Sequence, residues 1–109
     1  MGLELRASEV PFISGVLDLA SMGMIPAGSF ANRKFSERAV AVEDGVDPLV
    51  VDLLADAQTS GGLLIVLDER SSTQMISRLH TKGIPAVDIG FAVSDDGEKM
   101  VLDAPGAHR

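Results

Sequence analysis

The sequence predicts an α/β domain, a mixed β-sheet of four to six strands covered by about three helices. Three observations predict it. Stretches with strand periodicity, at residues 2–7, 63–67 and 86–93, alternate along the chain with stretches whose apolar residues recur at helical spacing. Gly23 and Gly83 fall just past two of the helical stretches, where a left-handed residue ends a helix. The core must be aliphatic, because 46% of the 109 residues are hydrophobic while there are four Phe and no Trp or Tyr. No repeat, low-complexity segment or linker divides the chain, so residues 1–109 read as one domain. A chain this long buries roughly two-thirds of its unfolded surface.

In residues 2–7, Leu3, Leu5 and Ala7 alternate with Glu4 and Arg6, as in a half-buried strand lying at a sheet edge. A chain that opens on a strand with no lead-in hints at a start inside a larger protein. After a turn from Ser8 to Pro11, Ile13, Val16, Leu17 and Ala20 form one stripe of a helix over residues 12–22. Residues 39–42 suit a short strand. Asp47-Pro48 opens the next helix, with Asp as N-cap and Pro in the first helical position. Leu49, Val50, Leu53 and Leu54 give that helix its apolar face, and it should stop near Ala55. Residues 63–67 read as a buried strand. Ser71 or Ser72 caps the third helix, which turns Met75, Ile76 and Leu79 inward and ends at Gly83. Residues 86–93 form a further strand, Asp95-Asp96-Gly97 a hairpin turn, and residues 99–102 the strand pairing back antiparallel. The remainder reads as a frayed tail.

Two stretches are not ordinary connectors. The first is Asp56-Ala57-Gln58-Thr59-Ser60-Gly61-Gly62, running directly into Leu63-Leu64-Ile65-Val66-Leu67. A continuous aliphatic run after two glycines reads as a strand covered on both faces. The glycines permit positive φ, a bulge, or close approach by a ligand or another part of the chain. This loop is either a plain helix-to-strand turn or a set of amides facing an anion. It is not a Walker-type phosphate loop, since it leads into a strand and carries no Lys. The second stretch runs from Gly23 through Met24, Ile25, Pro26, Ala27, Gly28, Ser29, Phe30 and Ala31 to Asn32 and Arg33. Its Pro and Gly content argues against a regular helix or central strand. Ser29 and Asn32 could anchor such a loop internally or touch a ligand.

Several function classes are excluded by composition. Nine basic residues against sixteen acidic ones give a net charge of −7, unsuited to a nucleic-acid surface. Stacking platforms for bases are missing too. Without Cys there is no disulfide, thiolate metal site or thiol nucleophile. His80 belongs near a helix C-terminus, and the only other His is His108, so no metal set forms. No apolar run approaches the roughly 18 residues of a membrane span, and the N-terminus lacks a signal-peptide layout, so the expectation is a cytoplasmic protein. Ser60 has no His nearby, and Asp95-Asp96 is a solvated pair rather than an acid–base couple. These residues support a domain with two unusual loops and no catalytic set of its own.

Together the two stretches resemble a known family. Residues 56–64 are similar to the D-P-Q-T-S-G-G-L-L signature of selenophosphate synthetases (selenide, water dikinases). Residues 23–32 resemble that family's G-x-I-P-G-G-T-x-x-N stretch, and residues 5–20 its strand-then-helix lead-in. The likeness covers essentially the whole chain, but only the C-terminal domain of the family, a fold shared with aminoimidazole-ribonucleotide synthase relatives. It implies an ATP-dependent enzyme making selenophosphate, AMP and phosphate from selenide, ATP and water. The missing N-terminal domain would carry ATP, Mg2+, the catalytic residues and the main homodimer surface. Here no catalytic or metal-binding residue is expected. Gln58, Thr59, Ser60, Gly61 and Gly62, with Pro26, Gly28, Ser29 and Asn32, would face the cleft. Ala57, Ala27 and Ser29 stand where the family has Pro, Gly and Thr. Alternatives are a free-standing anion- or partner-binding module, or a sister enzyme resembling thiamine-monophosphate kinase or a hydrogenase-maturation protein.

Overall fold

The structure, a computed structural model, describes residues 1–94 and 100–104. Its centre is a four-stranded sheet ordered β2-β4-β1-β3, built from β1 (Gly2–Arg6), β2 (Val40–Val42), β3 (Gly90–Val93) and β4 (Met100–Asp103). β4 runs parallel to both β1 and β2, and β1 runs antiparallel to β3. The sheet is therefore mixed, as expected. Four α-helices accompany it among the described residues: α1 (Val16–Ser21), α2 (Ala27–Ser36), α3 (Pro48–Leu54) and α4 (Glu69–Thr81). None of them is long and apolar enough to cross a membrane.

The core forms where β1 and β4 lie side by side. Leu5 is opposite Leu102 in that ladder, and both are buried with Ala7, Val46 and Val51. Val51 comes from α3, so this helix is the one keyed into the sheet. Its apolar face thus includes a residue outside the predicted set of Leu49, Val50, Leu53 and Leu54. The predicted cap is present: the Asp47 carboxylate accepts the Leu49 amide at 2.9 Å, Pro48 follows, and Ala55 ends the helix.

Both glycine stops hold. Gly23 (φ +85°) donates to the Ala20 carbonyl at 2.9 Å while Met24 reaches back to Leu19. Gly83 (φ +72°) donates to His80, and Ile84 to Leu79, each at 2.9 Å. These are paired Schellman bonds, made at the left-handed residue that glycine supplies without a Cβ penalty.

Elsewhere the structure differs from expectation. β1 is an interior strand and not an edge. It separates β3 from β4, so residues 99–102 do not pair back on the preceding strand; β4 pairs with β1 and β2 instead. A non-local parallel ladder is invisible to local turn reading. The predicted turn at residues 95–97, Lys99 and the tail from residue 105 lie outside the described residues. The strand expected over residues 86–93 is only Gly90–Val93. The helix expected over 12–22 begins at Val16, because Gly15 takes a left-handed φ of +83°, and of its predicted stripe only Ala20 is buried. Asp68 caps α4 rather than Ser71 or Ser72, accepting the Ser71 amide at 3.0 Å. No residue of α4 is buried. Residues 63–67 belong to no strand and stay exposed, since no ladder partner meets them among the described residues. Residues 27–33, read as irregular, are the opening turns of α2.

Two outcomes test this packing. Leu102→Ala should destabilise the domain by about 2–5 kcal/mol, read as a lower urea midpoint, because its site is closed by β1 and α3. Hydrogen bonds from Ser71, side chain first and then amide, hold the Asp68 carboxyl below its ordinary 3.8. A lowered value means the cap contributes above the unfolded pKa and is lost as pH falls through the folded one. The Ser71 amide resonance should therefore move, and its protection relative to an unstructured chain fall, as pH drops below 3.8, with the β1–β4 amides unaffected at that onset.

Candidate functional site

The site is built on the C-terminal end of α3. A helix leaves its last carbonyls without intrahelical partners, and here α2 supplies one. The Asn32 side-chain amide donates to the Ala55 carbonyl at 3.1 Å. One turn earlier on α2, the wholly buried Ser29 donates its hydroxyl to Asp56 Oδ1 at 2.7 Å. A hydroxyl bonded to an ionised carboxylate is among the stronger hydrogen bonds, more so away from water. Arg33 continues the seam by donating to the Asp52 carboxylate and the Pro48 carbonyl of α3. Ser29, Asn32 and Arg33 share one face of α2 because residues three and four apart are neighbours on a helix. Those bonds explain how α2 tolerates Pro26 and Gly28. Pro26 occupies the N-cap, where it breaks nothing, and Gly28 lies against Ala57, whose Cβ would be 3.6 Å from one added at Gly28.

The loop so held fronts an open cavity of about 330 Å³. Its lining is apolar from Pro11, Phe12, Ile13, Val16 and Leu53, and small or polar from Asp56, Gln58, Ser60, Gly61 and Gly62. Of the nine expected cleft residues, the structure thus brings four to the cavity: Gln58, Ser60, Gly61 and Gly62. Thr59 is exposed beside it and is not part of the lining. Pro26, Gly28, Ser29 and Asn32 do not line it either. Ser29 and Asn32 stand behind the loop and hold its start, while Pro26 and Gly28 open α2.

The two glycines have different work. Neither takes positive φ. A Cβ on Gly61 would fall 2.9 Å from Gln58 Oε1, whereas one on Gly62 would meet nothing within 4 Å. Gly61 lets the Gln58 side chain fold back over the loop. Gly62 leaves the backbone open at the cavity mouth.

Chemically the lining joins an apolar set of side chains to a polar one. Among the described residues its lining has one carboxylate, already engaged by Ser29, and no Lys, Arg or His. No cluster of three metal-ligating side chains forms among the described residues. The lining by itself therefore does not suit Mg2+ or a triphosphate, and it offers no nucleophile–base pair. Ile13 was legible only as a helix-stripe residue and Phe12 only as the start of that helix, since a cavity between distant segments has no local signature.

Comparison with known proteins places the chain among relatives. No family model matches it. It is 34% identical over 101 residues to a selenide, water dikinase of Clostridioides difficile strain 630, covering 93% of this chain and 29% of that protein. It is 40% identical over 98 residues to one of Nitratidesulfovibrio vulgaris strain DP4, covering 90% of this chain and 28% of the relative. A selenide, water dikinase 2 of Peptoclostridium acidaminophilum is 35% identical over 100 residues, 92% of this chain and 28% of its own length. The chain spans less than a third of the length of the curated relatives it matches.

Substitutions separate anchoring from lining. Ser29→Ala should cost about 1–3 kcal/mol, because the Asp56 carboxylate loses a buried donor, and heteronuclear spectra should show residues 55–62 shifting together. Gly61→Ala should shift the Gln58 side-chain amide resonances while Gly62→Ala leaves them in place.

Proposed function

We propose that this chain, a homologue of selenide, water dikinases over nine-tenths of its length, is the C-terminal domain of such an enzyme. Its role there is to form one wall of the cleft in which selenide, ATP and water give selenophosphate, AMP and phosphate. The observation that carries this reading is the seam between α2 and the loop after α3. Both stretches that resemble the family meet in it through Ser29 to Asp56, and Asn32 bonds Ala55 just before the second of them. A resemblance spread over two distant segments has a physical meaning when those segments hold each other.

In this reading Gln58, Ser60, Gly61 and Gly62 are the cleft-facing residues, with Thr59 at its rim. Ser29 and Asn32 position the loop, and Pro26 and Gly28 start the helix that carries them. The lining has no cation to neutralise phosphate and no free acid–base pair, so the domain orients and encloses. ATP, Mg2+ and the reacting groups belong to the remainder of the full-length protein, a homodimer that works in the cytoplasm. An enclosing wall contributes by excluding water and fixing geometry, which are worth much to a reaction that must hand phosphate to selenide rather than to solvent.

The test is a chimera. Fused in place of the matching segment of the Nitratidesulfovibrio vulgaris relative, the chain should support selenide-dependent AMP formation. The chain alone should produce none. Ser29→Ala in the chimera should lower kcat by about tenfold or more, as misplacement of a positioning loop does. Selenide-dependent AMP production by the chain alone would defeat the reading. So would a soluble, folded chimera with no activity.

A further inference from the structure

We propose that Asp44-Gly45 is a site of spontaneous backbone modification, where the chain isomerises to an isoaspartyl linkage, the substrate of a protein-isoaspartate methyltransferase. This inference rests on the fold and not on the selenophosphate reading. The pair forms the exposed turn between β2 and α3. Among the described residues Asp44 is the one aspartate followed by glycine. Neither the Gly45 amide nor the Asp44 carboxylate is engaged there by a hydrogen bond or ion pair. The nitrogen that attacks is thus bare, and glycine sets no side chain beside it to block the approach.

The step needs only water. The Gly45 backbone nitrogen attacks Cγ of the protonated Asp44 carboxyl. An N–C bond forms, and the carboxyl hydroxyl leaves with the amide proton as water. The product is a cyclic imide, a succinimide. Water then re-enters at one of its two carbonyls. Entry at Cγ restores aspartate. Entry at the former backbone carbonyl leaves the main chain running through Cβ and Cγ, with a free α-carboxylate beside it. Nothing is oxidised or reduced. Neighbouring aspartates are poorly set for this reaction. Asp47 precedes Pro48, which has no N–H to lose. Asp52 lies within α3 and is followed by Leu53, and Asp56 Oδ1 is held by Ser29.

The fold keeps the labile pair in place. Gly45 takes a left-handed φ of +94°, and a Cβ there would lie 3.4 Å from Ala104 Cβ. A shielding side chain at this position is therefore strained. The turn is also fixed on both sides. The Glu43 amide donates to the Leu102 carbonyl at 3.0 Å, and Val46 is buried in the core. Asp47, next along, caps α3. The isoaspartyl linkage adds a backbone atom between Glu43 and Val46, so either the buried valine or the cap must shift. The loop that follows α3 inherits the change.

Ageing the purified chain in warm neutral buffer, followed by peptide mapping, tests this. Trypsin releases Asp44 in peptide 39–70 and Asp96-Gly97 in peptide 83–99, so the two are read apart. Methyl transfer from labelled S-adenosylmethionine by a protein-isoaspartate methyltransferase should mark peptide 39–70. Electron-transfer fragmentation should place the linkage at position 44 before Asp47, Asp52, Asp56 or Asp68. The mark should accumulate in the folded chain as it does in urea. Asp44→Glu, whose imide ring is larger and slower to close, should leave peptide 39–70 unmarked. In the marked fraction the amides of Val46, Leu49 and residues 55–62 should shift and the urea midpoint fall. A folded chain that stays unmarked at position 44 while the urea-unfolded one is marked overturns the proposal. So does isoaspartate that appears first at another aspartate of peptide 39–70. Unmoved Val46 and Leu49 amides overturn its consequence for α3. If Asp44→Glu unfolds, the map of the unmodified chain decides alone.

Discussion

The packing on which the rest depends is the buried cluster in which Val51 of α3 joins Leu5, Ala7, Val46 and Leu102. It is the point where a helix is keyed into the β1–β4 ladder. With few aromatic side chains, each apolar contact in this chain is small, and the fold relies on a few aliphatic residues fitting closely. α3 is short, seven residues, and a helix of that length is not stable by itself. Tertiary packing through Val51 and the Asp47 cap at its start keep it in place. α2 bonds to α3 through Arg33 and Asn32, and the loop follows from its last turn.

That arrangement divides labour between two sequence stretches that look alike in composition. Both are rich in Gly and small polar residues, yet one became a helix and the other stayed a loop. The difference lies in the partners available. Residues 27–33 offer Ser29, Asn32 and Arg33 at helical spacing to a surface full of acceptors: the Asp56 and Asp52 carboxylates and the Ala55 and Pro48 carbonyls. Residues 58–62 have no such complement and remain exposed, with Gln58 folded over Gly61. The outcome is a loop clamped from behind and open in front. Such a wall can shape a cleft, and among the described residues its lining carries no cation.

Much of this was legible from the residues. Asp47-Pro48 as a helix start, the glycine stops at Gly23 and Gly83, and the mixed α/β character all come from local stereochemistry, which a sequence states directly. The exposed cap on α4 was read three or four residues late, because Ser71, Ser72 and Asp68 are all competent caps and only geometry chooses. The irregular reading of residues 27–33 failed for a different reason. Helix propensity penalises Gly28 by roughly 1 kcal/mol, and the long-range bonds to α3 outweigh it.

The sequence by itself determined the class of the domain, its aliphatic core, its helix ends and the pair of segments worth watching. Those depend on backbone freedom, capping and periodicity, which act over a few residues. Only the tertiary structure decided that β1 lies between β3 and β4, that Ser29 is buried against Asp56, and that Phe12 and Ile13 line one cavity with Gln58 and Gly62. Each of these joins residues far apart in the chain, and such pairings are chosen by the mutual fit of whole surfaces, for which no short stretch of residues carries a sign.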